Sequence, residues 1–461
     1  MNALFNLFTP APHLPEIQDK EVVKSDYRYW RVRIIYSMFI GYAFYYFTRK
    51  SFTFAMPGLI EDLHFDKGQL GLLGSILYIT YALSKFASGV LSDKSSPRFF
   101  MAFGLIMTGI INICFGLSSS FWLFAIFWGL NGWFQGFGWP PCARFLTSWY
   151  SQNERGAWWS TWSASHNVGS FLIPWVIGAC IYFFDSWRVA MYVPGVMCIL
   201  GGFFLINRLR DTPQSIGLPS IEQFRDDYGG ISKKDLEQKN VSVKEILVDY
   251  VLKNKYIWLL ALAYFFVYVV RTGIGDWTAL FLIEQKGYSR LGASGSVSLF
   301  EVGGFCGTLS SGWISDKLFA AKRGPVNILC SIGMMVTVAL FWLVPQGYPV
   351  LDSCAIFSIG YMTFGPQVLI GVAAAELAHK RAVSTSTGFA GCFAYMGAAM
   401  AGYPLGVMTQ ELGWNGFFLT LVLCCGVAAL LLSPMWSVRA NVTESKPEPT
   451  ADKEEKDVSY A

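Results

Sequence analysis

The chain has 461 residues, of which 53% are apolar or aromatic and only 14% are charged, against roughly 25% charged residues in an ordinary soluble domain. A soluble core cannot bury so much apolar surface, so the composition excludes a soluble globular protein and indicates a polytopic membrane protein. The formal net charge of +4 says little as a total, because the placement of lysine and arginine among the loops carries the information.

Apolar runs of about 20 residues, the length needed to cross the hydrocarbon core, fall into two sets of six. The first set covers residues 34 to 57, 69 to 91, 98 to 118, 121 to 148, 156 to 183 and 188 to 207, and the second covers 256 to 283, 293 to 315, 325 to 345, 350 to 376, 384 to 408 and 414 to 435. We therefore predict an all-α polytopic membrane protein with twelve transmembrane helices in two pseudo-symmetric six-helix halves. The predicted units are an N-terminal segment (1–33), a first half (34–207), a linker (208–255), a second half (256–436) and a tail (437–461).

Basic residues are concentrated in the linker and in the loops on its side of the membrane. These loops carry Lys94, Arg98, Arg155, Lys317, Lys322, Arg323, Lys380 and Arg381, whereas the opposite loops carry mainly Lys67, Lys286 and Arg290. The positive-inside rule then places both termini and the linker in the cytoplasm. The first 30 residues have no secretory signal pattern, and the tail is rich in Lys, Glu and Pro, which predicts disorder.

The two halves repeat each other in sequence. A Gly-x-x-Ser-Asp-Lys loop occurs after the second predicted helix of each half, with Asp93 in the first and Asp316 in the second. Arg49 and Arg271 are separated by nearly the same number of residues as these two aspartates, and each lies inside the first helix of its half. Parallel repeats of this kind build one large class of transporters. The aspartates are either helix caps paired with a nearby arginine or part of a latch between the halves.

Arginine at membrane depth requires an explanation, because it costs roughly 2.5 to 3.5 kcal/mol at the centre of a helix on insertion scales. Arg49 and Arg271 incur this cost at corresponding positions, which indicates a shared anionic partner. A guanidinium group donates two hydrogen bonds at once to a phosphate and stays charged at physiological pH. The alternative is that each arginine forms only a structural ion pair.

Further polar residues follow helical spacing around the two arginines. They are Tyr42, Tyr46, Tyr81, Lys85 and Tyr268, which lie three or four residues from one another or from an arginine. Tyrosine hydroxyls beside cations suit an oxygen-rich organophosphate, although each tyrosine alone could be a packing or interface residue. Lys85 could instead pair with a carboxylate.

Three other ionisable residues lie inside predicted spans. His166 could bond a neighbouring helix or share a proton with phosphate, since both titrate near neutrality. Asp276 and Glu301 are either structural counter-ions or gating partners that hold the cations when the site is empty.

Several longer motifs resemble one transporter family. They are Gly41-Tyr42, Tyr46 to Lys50, Gly136 to Cys142, Glu154 to Gly156, His166 to Gly169, Arg210 to Gln214, Tyr268 to Arg271, Asp276-Trp277 and Phe364 to Gln367. Over nearly the whole chain these resemble the organophosphate:phosphate antiporter family of the major facilitator superfamily, which implies an inner-membrane carrier. By this resemblance Arg49 and Arg271 are the phosphate-binding arginines. The resemblance also matches Tyr42, Tyr46, Tyr81, Lys85, His166, Tyr268 and Tyr395 to other cavity positions.

Tyr78 to Tyr81, Ser84 to Phe86, Ala373 to Glu376 and Phe393 to Tyr395 look most similar to the family's hexose-phosphate branch, which includes a sensor of glucose 6-phosphate. The resemblance implies exchange of external glucose 6-phosphate for internal inorganic phosphate by alternating access. A membrane sensor that signals to a kinase and a glycerol 3-phosphate:phosphate antiporter are alternatives, but Phe364 replaces a tyrosine of the glycerol 3-phosphate branch. A proton symporter is a further alternative, because Asp276 or Glu301 could titrate.

The sequence has no phosphate-binding Gly-x-x-x-x-Gly-Lys-Ser/Thr loop, no metal-ligand spacing and no nucleophile with a base and an orienting acid. The ten cysteines lie in or beside apolar stretches without a Cys-x-x-Cys spacing. We therefore expect no enzymatic activity and no cofactor. Because topology explains the basic residues, we also expect no nucleic-acid partner; the expected partners are an organophosphate, inorganic phosphate, the lipid bilayer and, for a sensor, a membrane kinase.

Overall fold

A computed structural model describes residues 8–93, 95–226, 251–320, 322–377 and 383–438. Half of the predicted linker (residues 227–250), nearly all of the predicted tail, and the loop residues Lys94, Lys380 and Arg381 lie outside these ranges. The backbone of Asp93 is described but its side chain is not, so its predicted role at a latch stays a prediction.

The first half consists of seven long helical segments. They are α1 (Lys20–Leu63), α2 (Lys67–Asp93), α3 (Pro97–Leu117), α4 (Phe121–Gln135), α5 (Trp139–Trp149), α6 (Gln152–Phe184) and α7 (Val189–Arg208). A 3-10 turn (Pro213–Ile216) and the short helix α8 (Ile221–Arg225) follow. Helix α1 begins well before its predicted span, because the Asp19 carboxylate accepts hydrogen bonds from the Glu21 and Val22 amides and caps it.

Among its described residues, the second half contains six long helices. They are α9 (Lys255–Lys286), α10 (Arg290–Lys317), α11 (Arg323–Leu343), α12 (Pro349–Glu376), α13 (Val383–Met400) and α14 (Tyr403–Leu432), followed by a 3-10 turn at Ser433–Met435. The described residues contain no β-strand. Eight stretches of described helix are by themselves long and apolar enough to cross a membrane.

The fourth predicted span is two helices, α4 and α5, rather than one. Pro140 cannot donate a hydrogen bond, and its ring would clash with the carbonyl of Gly136 in a continuous helix. Two serines of α2 satisfy carbonyls exposed at the break: Ser84 donates to Trp133 O, and Ser88 donates to Gly136 O at 2.7 Å. The break is therefore compatible with membrane depth, where every backbone polar group needs a partner.

The eleventh predicted span is also broken, at Ala401 and Gly402 between α13 and α14. Pro404 lies just after this break and interrupts the helical hydrogen bonds. Ser75 of the first half receives a hydrogen bond from the Tyr403 amide at 2.7 Å and donates one to Ala399 O at 2.5 Å. Helix α14 then turns at Gly413, which has a φ of 66° that favours glycine, and this turn separates the eleventh crossing from the twelfth.

Each half packs internally, and the two halves meet along a limited set of helices. Helix α6 packs against α10, α2 packs against α13 and α14, and α1 approaches α9. The α2–α14 contact is backbone to backbone, because a Cβ on Gly71 would lie 2.5 Å from Gly402 O. The two halves therefore meet along these helices, with a cavity between them.

The halves are joined at one end of the bundle, which we name the closed end; it contains the loops at 64–66, 185–188 and 287–289. Glu61 pairs with Arg290 across the interface. Lys67 pairs with Glu284 at 2.7 Å and lies over the ring of Trp414. Ion pairs of this kind close the bundle at this end.

The opposite end of the first half is held by Asp211, which is 5% exposed. Its carboxylate accepts hydrogen bonds from the Ala11 amide at 3.0 Å, the Ser96 hydroxyl at 2.7 Å and the Arg98 amide at 3.3 Å. These bonds tie the N-terminal segment, the start of α3 and the loop after α7 to one another.

We expect Asp211→Ala to lower the free energy of unfolding by about 2 to 4 kcal/mol, because it removes an ionised acceptor of three hydrogen bonds and leaves the buried Ser96 hydroxyl without its acceptor. Reversible unfolding in mixed detergent micelles measures this change. Asp26→Ala removes a carboxylate that makes no hydrogen bond or ion pair to any described residue, and it should change stability by less than about 0.5 kcal/mol. Equal effects of the two substitutions would contradict the assigned role of Asp211.

Candidate substrate cavity

A cavity between the halves contains all nine residues predicted to bind substrate. They are Tyr42, Tyr46, Arg49, Tyr81, Lys85, His166, Tyr268, Arg271 and Tyr395. The cavity is also lined by residues that the sequence analysis did not select, namely Lys50, Tyr78, Trp139, Thr272, Gln367 and Ala398. Helices α1, α2, α5 and α6 supply one wall, and α9, α12 and α13 supply the other.

Arg49 is held by two aromatic rings and one amide. Its guanidinium lies 4.4 Å from the centre of the Tyr46 ring and 4.5 Å from that of Tyr81. Its Nε donates to Gln135 Oε1 at 3.1 Å, while its buried Nη2 has no hydrogen-bond partner. The ring faces attract the cation, so Arg49 is oriented while part of its donor fork remains available.

Gln135, at the end of α4, accepts the hydrogen bond from Arg49 Nε and positions this side chain in the cavity. Its Nε2 donates to Thr48 Oγ1 at 3.0 Å and to Tyr45 O at 3.1 Å. These bonds fix the amide so that its oxygen faces Arg49. The available sequence signal was a pair of polar residues, Asn131 and Gln135, four positions apart inside an apolar run, and the sequence analysis did not use it.

Arg271 has a similar environment in the second half. Its guanidinium lies 5.4 Å from the centre of the Tyr268 ring and 5.1 Å from that of Phe364, and its buried Nε has no hydrogen-bond partner. Among the described residues, neither Arg49 nor Arg271 forms an ion pair. The alternative of a separate structural ion pair for each arginine therefore has no support among the described contacts.

Lys85 adds a third cation to the cavity. Its Nζ lies 5.3 Å from the centre of the Trp139 ring and 5.1 Å from that of Tyr395, and it pairs with no carboxylate among the described side chains. The hydroxyls of Tyr81 and Tyr395 lie 3.5 Å apart, one from each half. This region of the cavity therefore offers hydroxyl groups, aromatic faces and a positive charge.

His166 lies beside Tyr46, with their ring centres 5.7 Å apart. Its Nδ1 faces the Ser163 carbonyl within hydrogen-bonding distance. A carbonyl only accepts hydrogen bonds, so Nδ1 carries a proton and Nε2 is the nitrogen that can accept or bind another one.

Asp276 is paired with a cation other than the two arginines. Its carboxylate accepts from Lys50 Nζ at 2.6 Å and from the Tyr78 hydroxyl at 2.7 Å. Lys50 and Tyr78 belong to the first half and Asp276 to the second, so this cluster joins the halves. Lys50 is therefore neutralised, whereas the three cations described above are not.

The other predicted carboxylates lie in different surroundings. Glu301 is 6% exposed, its Oε2 has no hydrogen-bond partner, and it lines a small apolar pocket with Asn167 between α6 and α10. Asp316 pairs with Arg323 at 2.5 Å, and Arg323 also pairs with Glu376 at 2.9 Å. This network lies within the second half, and Asp316 itself lies in the last turn of α10 rather than at a helix cap.

The cavity therefore holds three cations without carboxylate partners among hydroxyl and amide groups. Burying uncompensated charge is costly, so this arrangement favours a ligand with several negative charges and hydrogen-bonding oxygens. Among the described residues, no group of three or more His, Cys, Asp or Glu side chains could hold a metal ion. The cavity chemistry is that of anion recognition.

Comparison with known proteins gives concordant results. The family model described as Major Facilitator Superfamily matches residues 38–403. The chain is 56% identical to the "Probable hexose phosphate transport protein" of Chlamydia trachomatis serovar D, over 95% of this chain and 98% of that protein. It is 47% identical to the "Membrane sensor protein UhpC" of Escherichia coli strain K12 (93% and 97% covered) and 40% identical to the "Glycerol-3-phosphate transporter" of Bacillus subtilis strain 168 (94% and 98% covered).

Among solved structures, a bacterial homolog of the human lysosomal transporter Spinster, in an inward-facing and unoccupied conformation, superposes with a TM-score of 0.73. The match has 17% sequence identity and covers 88% of this chain and 96% of that one, so it supports the fold alone. Together, the family match, the near full-length relatives and the two six-helix halves establish the identity of the fold. The chain belongs to the major facilitator superfamily and, within it, to the organophosphate:phosphate antiporter family.

Proposed function

We propose that this protein exchanges a hexose phosphate, with glucose 6-phosphate as the leading candidate, for inorganic phosphate across the inner membrane. One observation carries the proposal: Arg49 and Arg271, one from each half, line the same cavity without a carboxylate partner among the described residues. Relatives named as hexose phosphate transport proteins support the choice of organic substrate. A carrier of this family is a transporter and not an enzyme.

The exchange follows from charge repulsion across the cavity. Without a ligand, the two guanidinium groups repel each other, and this repulsion opposes a state in which the halves close around the site. A bound phosphate group accepts hydrogen bonds from both and replaces repulsion by attraction. Because a ligand shifts an equilibrium only by its differential affinity for the two states, the loaded carrier reorients more readily than the empty one, and exchange results.

We propose that the closed end faces outside and that both termini are cytoplasmic. The charge distribution among the loops supports this orientation, since the loops at the closed end carry mainly Lys67, Lys286 and Arg290, whereas the linker and the loops at the other end carry most of the basic residues. With this orientation the structure is inward-facing, and its cavity is closed to the outside by the contacts around Ser75 and Gly402.

The part of the cavity beyond the arginines suits a sugar. Lys85 and Trp139 supply a cation and an aromatic face, and the buried Gln367 Oε1 has no hydrogen-bond partner. A hexose carries several hydroxyl groups that could donate to this oxygen, and its ring could pack on the indole. Phe364 stacks on Arg271 without offering a hydroxyl, which agrees with a substrate other than glycerol 3-phosphate.

A sensor is the second candidate function, because the relative named "Membrane sensor protein UhpC" is 47% identical over nearly the full length of both chains. The same cavity would bind glucose 6-phosphate, and its occupancy would change the surface presented to a membrane kinase. Nothing in the geometry of the cavity distinguishes ligand binding for transport from ligand binding for signalling.

Exchange in proteoliposomes distinguishes these functions. Vesicles loaded with inorganic phosphate should accumulate labelled glucose 6-phosphate, and unlabelled glucose 6-phosphate should compete better than glycerol 3-phosphate. Uptake should persist when a protonophore collapses the proton gradient, because the proposed exchange needs no ion gradient. Binding without flux would favour the sensor, stronger competition by glycerol 3-phosphate would contradict the hexose assignment, and loss of uptake with the proton gradient would favour a symporter.

We expect Arg49→Lys and Arg271→Lys each to reduce phosphate-linked exchange by at least about tenfold. Lysine keeps the charge but loses the planar fork, and a hydrogen bond to a charged group contributes about 1.5 to 3 kcal/mol. The measurement is the initial rate of phosphate exchange, with the thermal unfolding midpoint as a check on folding. The control is Arg225→Lys, whose arginine pairs with Glu154 outside the cavity; near-normal exchange in either cavity variant would contradict the site.

We also expect Gly71→Ala to favour a state in which the two halves move apart at the closed end, because the added Cβ would clash with the Gly402 backbone across the interface. Gly74→Ala is the matched control, since its Cβ would lie an acceptable 3.8 Å from Gly402 Cα. Spin labels at Asp185 and Gln346, in loops of opposite halves at this end, measure the separation. The distance should lengthen for Gly71→Ala only; an unchanged distance would show that this contact does not set closure.

A further inference from the structure

A groove rich in cations runs along the outer face of the first half, away from the substrate cavity. It is lined by Glu21, Lys24, Ser25, Arg28, Tyr29, Val32, Arg33 and Tyr36 of α1 and by Arg208 at the end of α7. Four of these nine residues are basic, and Glu21 is the one carboxylate among them. The α1 residues are spaced by three or four positions, so they form a single stripe along the helix.

The groove lies where the helix enters the membrane. After Arg33, the last cation of the stripe, α1 carries no charged residue until Arg49. Beyond this point the same stripe continues with Tyr36 and Ile40, each 37% exposed. The stripe therefore changes from basic to apolar after Arg33, as expected of a helix that passes from the phospholipid headgroups into the hydrocarbon core.

The cations of the groove have no carboxylate partners among the described residues. Lys24 and Arg28 are exposed and make no hydrogen bond or ion pair to any described residue. Arg33 donates only to neutral acceptors, including Arg208 O at 3.2 Å and the Tyr29 hydroxyl at 2.5 Å. The Arg208 guanidinium lies 6.0 Å from the centre of the Phe204 ring.

A further cation, Arg210, lies close to Arg33 beside the groove. Arg33 and Arg210 both contact the ring of Trp30, at 4.8 Å and 5.0 Å from its centre. Burial, and next the nearby Arg33 charge, lower the pKa of Arg210. An anion in the groove would reduce this repulsion.

We propose that this groove binds an anionic phospholipid, with its phosphate among Lys24, Arg28, Arg33 and Arg208 and one acyl chain along Val32, Tyr36 and Ile40. The cationic part of the groove complements the headgroup, and the apolar part complements the chain. A free phosphate ion would use the first part only, so the continuous stripe favours a lipid. This site is separate from the substrate cavity, and the inference does not depend on which molecule is transported.

Native mass spectrometry of the full-length protein tests this inference. The purified protein is incubated with equal amounts of phosphatidylglycerol and phosphatidylcholine of matched chain lengths. We expect bound phosphatidylglycerol to exceed bound phosphatidylcholine in the wild type. The preference should fall by about fivefold for each groove cation removed, because the bound headgroup loses one of its charge contacts, and hence by roughly 25-fold in Lys24→Gln/Arg28→Gln.

The control Lys255→Gln/Lys317→Gln removes the same charge from exposed positions on the other half and should keep the wild-type preference. Unchanged thermal unfolding midpoints in detergent would show that both variants are folded. An equal loss in the control, or no preference in the wild type, would overturn the proposal. Excess inorganic phosphate should leave the lipid bound; displacement by phosphate would mean that the groove recognises a free anion and would overturn the assignment to a lipid.

Discussion

Three positive charges that share one cavity between the two halves are the constraint on which the proposed exchange depends. Arg49, Arg271 and Lys85 have no carboxylate partners among the described residues, and tyrosine, tryptophan and phenylalanine rings hold them instead. Ring faces attract a cation without neutralising it, so the charges remain available to an incoming anion. The free-energy cost of burying these charges therefore persists until an anion binds. Binding reduces that cost and can change the balance between conformations.

Asp276, a carboxylate beside the cavity, does not neutralise either cavity arginine. Asp276 lies five residues after Arg271 in the chain but pairs with Lys50 of the other half, with Tyr78 as a second donor. This pairing keeps a neutral contact between the halves next to a positively charged cavity. At the closed end the halves approach so closely at Gly71 and Gly402 that their backbones touch. The interface thus combines an ion pair beside the cavity with a close backbone contact at the closed end.

Cationic groups occur in two places in this protein, the substrate cavity and the groove of α1 and α7, and their neighbouring residues differ. In the cavity, hydroxyl and amide groups accompany the cations, which suits a soluble organophosphate. In the groove of α1 and α7, an exposed apolar stripe continues from the cations into the membrane, which suits a lipid. The neighbours of a guanidinium group, rather than its charge alone, therefore distinguish the two kinds of anion.

The sequence alone determined the number of membrane crossings and the repetition of one half by the other. It also gave the prediction that Arg49 and Arg271 belong to one site. Span length and the cost of a buried charge are local properties, so they can be read without knowing which helices touch. It did not reveal that Gln135 orients Arg49, that serines of α2 satisfy carbonyls at two helix breaks, or that Asp276 pairs with Lys50. Each of these depends on which helices come into contact. Such contacts join residues far apart in the chain and are set by packing between helices, so only the tertiary structure decided them.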